Sequence, residues 1–314
     1  MRILILGAGG TGGYFGGRLA QAGVDVTFLV RPARAERLQR DGLRIRSPRG
    51  DADVAVATLT ADTLPAAAAA QPFDLVMLSC KAYDLDSALD AVAPAMGAAT
   101  TLLPILNGLR HYPVLDARFG AGNVLGGLCF ISATLAADGA VQHLGKPASL
   151  TFGERDGRGA DSARVRALAT ACASAGIDHV ATPRIAQEQW IKYTFLTALA
   201  AGTCLMRAPV GRIVASDDGD ALMRGLYAEC LAVAAAAGEP IPDTAQANAL
   251  QLLTQPGSPT KASMLRDLEA GQQVEAQHIV GDMLARARAA GHAAAWLLAA
   301  YCHLQAYQAG LAER

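Results

Sequence analysis

Six residues near the N-terminus, Gly7-Ala8-Gly9-Gly10-Thr11-Gly12, restrict what the first half of this chain can become. Met1–Leu6 before them is an apolar run rich in β-formers and reads as a buried strand. Tyr14–Ala22 after them reads as a helix, closed by Gly23. A G-x-G-x-x-G between strand and helix is a tight turn. Its first glycine allows the bend, its second lets a ligand approach the backbone, and its third lets helix and strand pack closely. The free N–H groups and partial positive charge of the helix N-terminus then suit a pyrophosphate. Gly7, Ala8, Gly9, Gly10, Thr11 and Gly12 are therefore expected to hold a dinucleotide.

The alternation continues. Val24–Val30 reads as a strand, Ala33–Asp41 as a basic helix, and Leu43–Arg46 and Val54–Thr58 as strands around a polar turn. Asp74–Cys80 is a buried strand with a helix from Asp84 towards Pro94, and Thr100–Leu106 is a strand ending at Asn107-Gly108. Val124–Ile131 and Ala140–Leu144 pair through Asp138-Gly139; Asp161–Ala175 is a helix and Ile177–Ala181 a last strand. Beyond 181 the pattern is helical, with Thr182 a good N-cap and Pro183 suited to the first turn. The expected fold is an α/β N-terminal Rossmann-type doubly wound sheet over 1–181, followed by an all-helical C-terminal domain over 182–314 for substrate and catalysis. At 314 residues the chain can bury two cores.

The end of the second strand selects the cofactor. An NAD site places Asp or Glu there for the ribose 2′-hydroxyl. This chain has Val30-Arg31, whose guanidinium instead pairs with a 2′-phosphate. NADP(H) is expected, with Arg31 the main contact and Arg34 a second; Arg37 and Arg40 read as a solvated helix face.

Composition bounds the rest. A net charge of −1 gives no reason to expect nucleic acid or an anionic membrane as partner. Apolar stretches are broken by Gly, Pro or charge, so no membrane span is expected, and the first apolar run is too short for a signal peptide. Six scattered cysteines without a CxxC pair read as buried thiols in a reducing cytoplasm, and the six histidines show no metal-ligand spacing.

Taken in order, Gly7–Gly12, Arg31, Ser79-Cys80-Lys81-Ala82, Asn107-Gly108, Trp190-Ile191-Lys192, and Ser263-Met264-Leu265-Arg266-Asp267 with Glu275 and Gly281 resemble the ketopantoate reductase (2-dehydropantoate 2-reductase) family over nearly the whole chain. The resemblance implies an NADPH-dependent reduction of a 2-keto acid to a 2-hydroxy acid, most simply 2-dehydropantoate to pantoate in pantothenate biosynthesis. It places Lys81 and Asn107 with cofactor and substrate, and Ala133 near the nicotinamide. Lys192 looks like the family's catalytic lysine, stabilising and protonating the developing alkoxide. Glu275 resembles the acid that touches the cofactor ribose and helps set that lysine. Ser263 matches a serine that binds the substrate carboxylate, and Asp267 reads as structural.

One part of the pattern departs. Characterised members carry asparagines four and eight residues after the lysine and another before a downstream glycine. This chain has Leu196, Ala200 and Val210. Three amides have become apolar, so a related NADP-dependent hydroxy acid dehydrogenase with a less polar substrate is the alternative. Arg207 is a candidate replacement partner for a carboxylate. A non-catalytic NADPH-binding sensor is a third reading, which has no need of Lys192 and Glu275. The expected partner is a small keto acid. The alanine-rich helical half is a candidate homodimer surface.

Overall fold

The computed structural model describes residues 1–157, 159 and 161–313. Its described residues separate into two compact units, one within 1–106 and 111–185, the other of 107–110 and 186–313.

In the first unit the elements run β1 (Arg2–Leu6), α1 (Gly10–Gln21), β2 (Asp25–Leu29), α2 (Pro32–Asp41), β3 (Leu43–Arg46), β4 (Ala52–Val54), β5 (Ala57–Leu59), α3 (Leu64–Ala70), β6 (Leu75–Leu78), α4 (Leu85–Val92), β7 (Thr101–Pro104), α5 (His111–Phe119), β8 (Gly126–Leu135), β9 (Val141–Gly153), α6 (Ala163–Ser174) and β10 (Asp178–Ala181). A five-stranded sheet in the order β5-β2-β1-β6-β7 is parallel throughout. Its central strands are buried on both faces, which is why Ile3-Leu4-Ile5 and Leu75–Leu78 are unbroken apolar runs rather than alternating ones. A second, mixed sheet has the order β10-β9-β3-β4, with β8 antiparallel to β9.

The α/β reading holds, with differences that have physical causes. The run expected as one strand over 54–58 is two: β4 pairs with β3 in the mixed sheet and β5 with β2 in the parallel one. The β8–β9 pair extends well beyond its expected end at Leu144, because Gly145 and Pro147 lie in a bulge between the Ile131–Ala148 and Ala133–His143 pairs and pairing resumes beyond it. Helices α3 and α5 were not expected. Pro65 and Pro113 fall in their first turns, where no N–H is needed, and the alanines of α3 carry no amphipathic signal. The early glycines conceal the first turn of α1, which starts at Gly10 rather than Tyr14.

The second unit contains α7 (Ile185–Met206), α8 (Val210–Ile213), α9 (Gly219–Ala236), α10 (Asp243–Leu253), α11 (Ser263–Glu269), a π-turn over Gln277–Gly281, α12 (Asp282–Ala289) and α13 (Ala295–Ala312). Helix α7 begins two residues later than Pro183 suggests; Thr182 Oγ1 accepts from Arg184 N at 3.1 Å instead. Its buried residues, with those of α9, α11, α12 and α13, form one core cluster. Small residues let these helices approach closely. A Cβ on Gly202 would strike Met223, and one on Gly225 would meet Trp296 Nε1 at 2.7 Å.

Candidate active site

The first unit builds an open backbone cradle at the end of β1. At the end of β1, Gly7 takes φ +88°, a region that favours glycine, and its N–H donates to Leu29 O of β2 at 2.9 Å. Helix α1 follows with no side-chain cap on Gly9, so the orphan N–H groups of its first turn remain available to a ligand. A Cβ on Gly9 would meet nothing within 4 Å, so the turn is open there. It is closed at Gly10 and Gly12. A Cβ on Gly12 would strike Ser79 Oγ, which donates to Leu6 O at 2.8 Å, and one on Gly10 would lie 2.6 Å from Ala133 O. Ala133, on β8, thus sits against the glycine turn. These features fit a dinucleotide pyrophosphate: open backbone on one side, close packing on the other.

Arg31 is the extended residue before α2 and is exposed. Arg34 is placed otherwise than expected. Its Nη2 donates to Ala8 O at 3.1 Å and to Gly139 O at 3.2 Å, so it ties the glycine turn to the β8–β9 connection rather than reaching outward. Burial is the main cause that lowers its guanidinium pKa, with Arg37 and Arg44 adding repulsion. Arg37 donates to Asp138 O at the surface, and Arg40 pairs with the neighbouring Asp41 at 2.8 Å. Lys81, half-buried, follows β6 and starts a short 3₁₀ turn.

In the second unit, Asn107 and Lys192 come together although 85 positions separate them. The buried Lys192 Nζ donates to Asn107 Oδ1 at 3.0 Å. Asn107 is held by its neighbour: Gly108, at φ +79°, lies so close to the π-turn that a Cβ would be 2.7 Å from His278 O. Glu275 is buried immediately before that turn, and its carbonyl accepts from Ile279 N at 3.1 Å. Ser263 is half-buried in the first turn of α11, with Ala262 rather than Ser263 at the cap position. Leu196 is half-buried on α7, while Ala200 and Val210 are fully buried in the helical core. Arg207 ends α7 in a left-handed conformation, φ +49°, and is exposed.

Sequence reasoning missed a second group beside Lys192. The Tyr193 hydroxyl lies 2.9 Å from Asp282 Oδ2 and 3.0 Å from Ile279 O, and Arg286 Nε donates to the same carboxylate oxygen at 2.8 Å. The i,i+4 spacing of Asp282 and Arg286 was a legible signal for that pair; Tyr193, whose partners lie about 90 positions away, gave none. Among the described residues, no group of three His, Cys, Asp or Glu has metal-site geometry, and no helix is long and apolar enough to cross a membrane.

The cradle, the parallel sheet and the helical second unit define a dinucleotide-dependent oxidoreductase. Residues 3–157 match the family Ketopantoate reductase PanE/ApbA, and residues 184–308 match its C-terminal domain. The chain is 36% identical to the uncharacterized oxidoreductase YkpB of Bacillus subtilis (strain 168), over 98% of this chain and 99% of that one. It is 30% identical to a 2-dehydropantoate 2-reductase of Halobacterium salinarum, over 92% of each. A PanE/ApbA family ketopantoate reductase structure from Ralstonia eutropha JMP134 superposes with a TM-score of 0.87 at 26% identity, covering 99% of this chain and all of that one. The chain belongs to the ketopantoate reductase family, oxidoreductases that act on CH–OH groups and bind NADP(H).

Proposed function

We propose that this chain reduces a 2-keto acid to the 2-hydroxy acid with NADPH, 2-dehydropantoate being the first candidate substrate, as in pantothenate biosynthesis. The observation that carries the reading is the buried Lys192 ammonium aligned by Asn107 Oδ1 at 3.0 Å. Gly7–Gly12 would hold the pyrophosphate and Arg31 the 2′-phosphate, with Lys81 and Ala133 beside the cofactor. Bound NADPH supplies a hydride to the carbonyl carbon. As the C=O π bond opens, negative charge collects on oxygen. Lys192 Nζ stabilises that charge and gives the oxygen its proton, recovering one from solvent afterwards. Asn107 accepts from the same ammonium, so one N–H is fixed and another is directed to the substrate. Ser263 would bind the substrate carboxylate, and Glu275 would contact the cofactor ribose and help set Lys192.

Leu196, Ala200 and Val210 favour a second reading on the same chemistry, a 2-keto acid with a less polar side chain. Lost amide bonds to a polyhydroxylated substrate cost about 0.5–1.5 kcal/mol each, whereas an apolar substituent loses nothing. The reaction belongs in the cytoplasm, where thiols stay reduced. A homodimer formed through the helical unit is part of the same proposal, and sedimentation as a monomer would remove it.

The test is oxidation of NADPH by the purified chain against 2-dehydropantoate and aliphatic and aromatic 2-keto acids. Turnover is expected with at least one, and the ranking of kcat/KM decides between the two readings. Tight NADPH binding with no turnover across the panel overturns both and leaves a sensor.

A further inference from the structure

Tyr193 belongs to a closed ring of contacts within the second unit. Its phenol is buried, 2.9 Å from Asp282 Oδ2 and 3.0 Å from Ile279 O. Arg286 Nε donates to Asp282 Oδ2, and the Arg286 guanidinium stands over the Trp190 ring at 5.5 Å. Trp190 in turn lies 5.7 Å from the Tyr193 ring. This ring spans two elements that the proposed chemistry needs together. Trp190 and Tyr193 flank Lys192 on α7; Ile279, Asp282 and Arg286 belong to the π-turn and α12, just after Glu275.

The π-turn explains why a hydroxyl is needed. Its i→i+5 pattern appears in the Gly281 N to Ala276 O bond at 2.9 Å, which displaces the carbonyls of this turn from the ordinary ladder. Of those carbonyls, Ile279 O accepts from the Tyr193 hydroxyl, and His278 O packs so close to Gly108, next to Asn107, that a Cβ there would lie 2.7 Å from it. One short turn is therefore hydrogen-bonded to Lys192's helix on one side and packed against Asn107's loop on the other. Burial first, and the Asp282 carboxylate second, push the phenol's pKa well above its usual value, so it remains a donor at working pH.

We propose that Tyr193 is a positioning residue for the reduction, fixing α7 on the π-turn so that Lys192 Nζ, Asn107 and Glu275 keep the geometry in which the proton is delivered. The inference rests on the reading of Lys192 as proton donor. It adds a residue that touches neither the reacting atoms nor the cofactor.

Tyr193→Phe removes one oxygen and leaves the ring packing. A misplacement of order 1 Å costs up to about a hundredfold in rate, so kcat is expected to fall roughly ten- to a hundredfold. KM for NADPH, and NADPH affinity by fluorescence titration, should change by less than about fivefold, well below the loss in kcat, because the glycine turn and Arg31 are untouched and Glu275 is the one proposed cofactor contact beside the π-turn. The pair is then closed as a cycle with Lys192→Ala. If Tyr193 acts through the lysine, Tyr193→Phe should have no further effect on the residual rate in the Lys192→Ala background. Should Tyr193→Phe melt before assay, Asp282→Ala, which removes one acceptor and keeps the phenol, is expected to give the same kcat-selective loss at smaller size. A Tyr193→Phe enzyme with normal kcat, or one that loses the same factor with and without Lys192, overturns the proposal. An inactive Lys192→Ala beside a normal Tyr193→Phe overturns it alone. A Lys192→Ala enzyme that keeps its rate overturns the reading of the lysine, and this proposal with it.

Discussion

Two arginines three positions apart divide the work at the end of β2. Arg31 is exposed at the strand's end, where the proposed 2′-phosphate contact would be made, whereas Arg34 gives its Nη2 to the carbonyls of Ala8 and Gly139. Their replacement should therefore separate specificity from loop integrity. A charged hydrogen bond contributes about 1.5–3 kcal/mol, so Arg31→Ala should lower the NADPH-to-NADH ratio of kcat/KM by roughly 10- to 150-fold. Arg34→Ala should weaken both cofactors alike and keep that ratio within about twofold. Kinetics with the two cofactors decide, and an Arg34→Ala ratio that drops as far as Arg31→Ala would make Arg34 a phosphate contact after all. At this scale the strand–turn–helix around the glycines was legible, because the three glycines have local jobs. It could not carry Arg34's role, since Gly139 is 105 positions away and only the β8–β9 connection brings it near. Lys192 and Asn107 were reachable only through family resemblance, for the same reason.

Helix α7 shows how an element can end against its own residue preference. Ala208 N donates to Thr203 O at 3.2 Å, the six-to-one bond of a Schellman turn, which calls for a left-handed residue at position 207. Glycine normally fills that place; here it is Arg207, the only non-glycine with positive φ among the described residues. Arg207→Gly should relieve a left-handed strain of about 1–2 kcal/mol, offset partly by a freer unfolded chain, for a net gain of about 0.5–1 kcal/mol. Urea titration measures this; lower stability in the variant would contradict it. If the same variant raises KM for the keto acid, the strain is retained because Arg207 meets the substrate carboxylate. The elements themselves were largely legible where a period or a buried apolar run existed, as in β1, β6 and α2. They were illegible where the signal lies in tertiary pairing. The strand expected to stop at Leu144 continues past Gly145 and Pro147, because β8 holds β9 on both sides of the bulge.

Across the whole molecule, three buried thiols link stability to pH in both units. Burial pushes Cys172 of α6 and Cys204 of α7 up to about 12 from 9.0, and Cys230 of α9 higher still. A thiol whose folded pKa is raised stabilises the fold fully below the unfolded value. That contribution is lost as pH climbs from about 9 towards 12, because the unfolded chain gives up its protons first. For a shift of this size the loss is about 1.4 kcal/mol per thiol at about pH 10. Cys172 lies in the core of the first unit and Cys204 and Cys230 in that of the second, so neither unit should be spared. The midpoint of thermal unfolding should fall between about pH 9 and pH 11, and replacing all three cysteines with alanine should make that fall shallower while lowering the midpoint at neutral pH by the cavities it creates. Tyr193 and Tyr227, whose phenols burial also raises, keep some slope in the variant. An identical slope with and without the thiols would mean that alkaline unfolding is driven elsewhere.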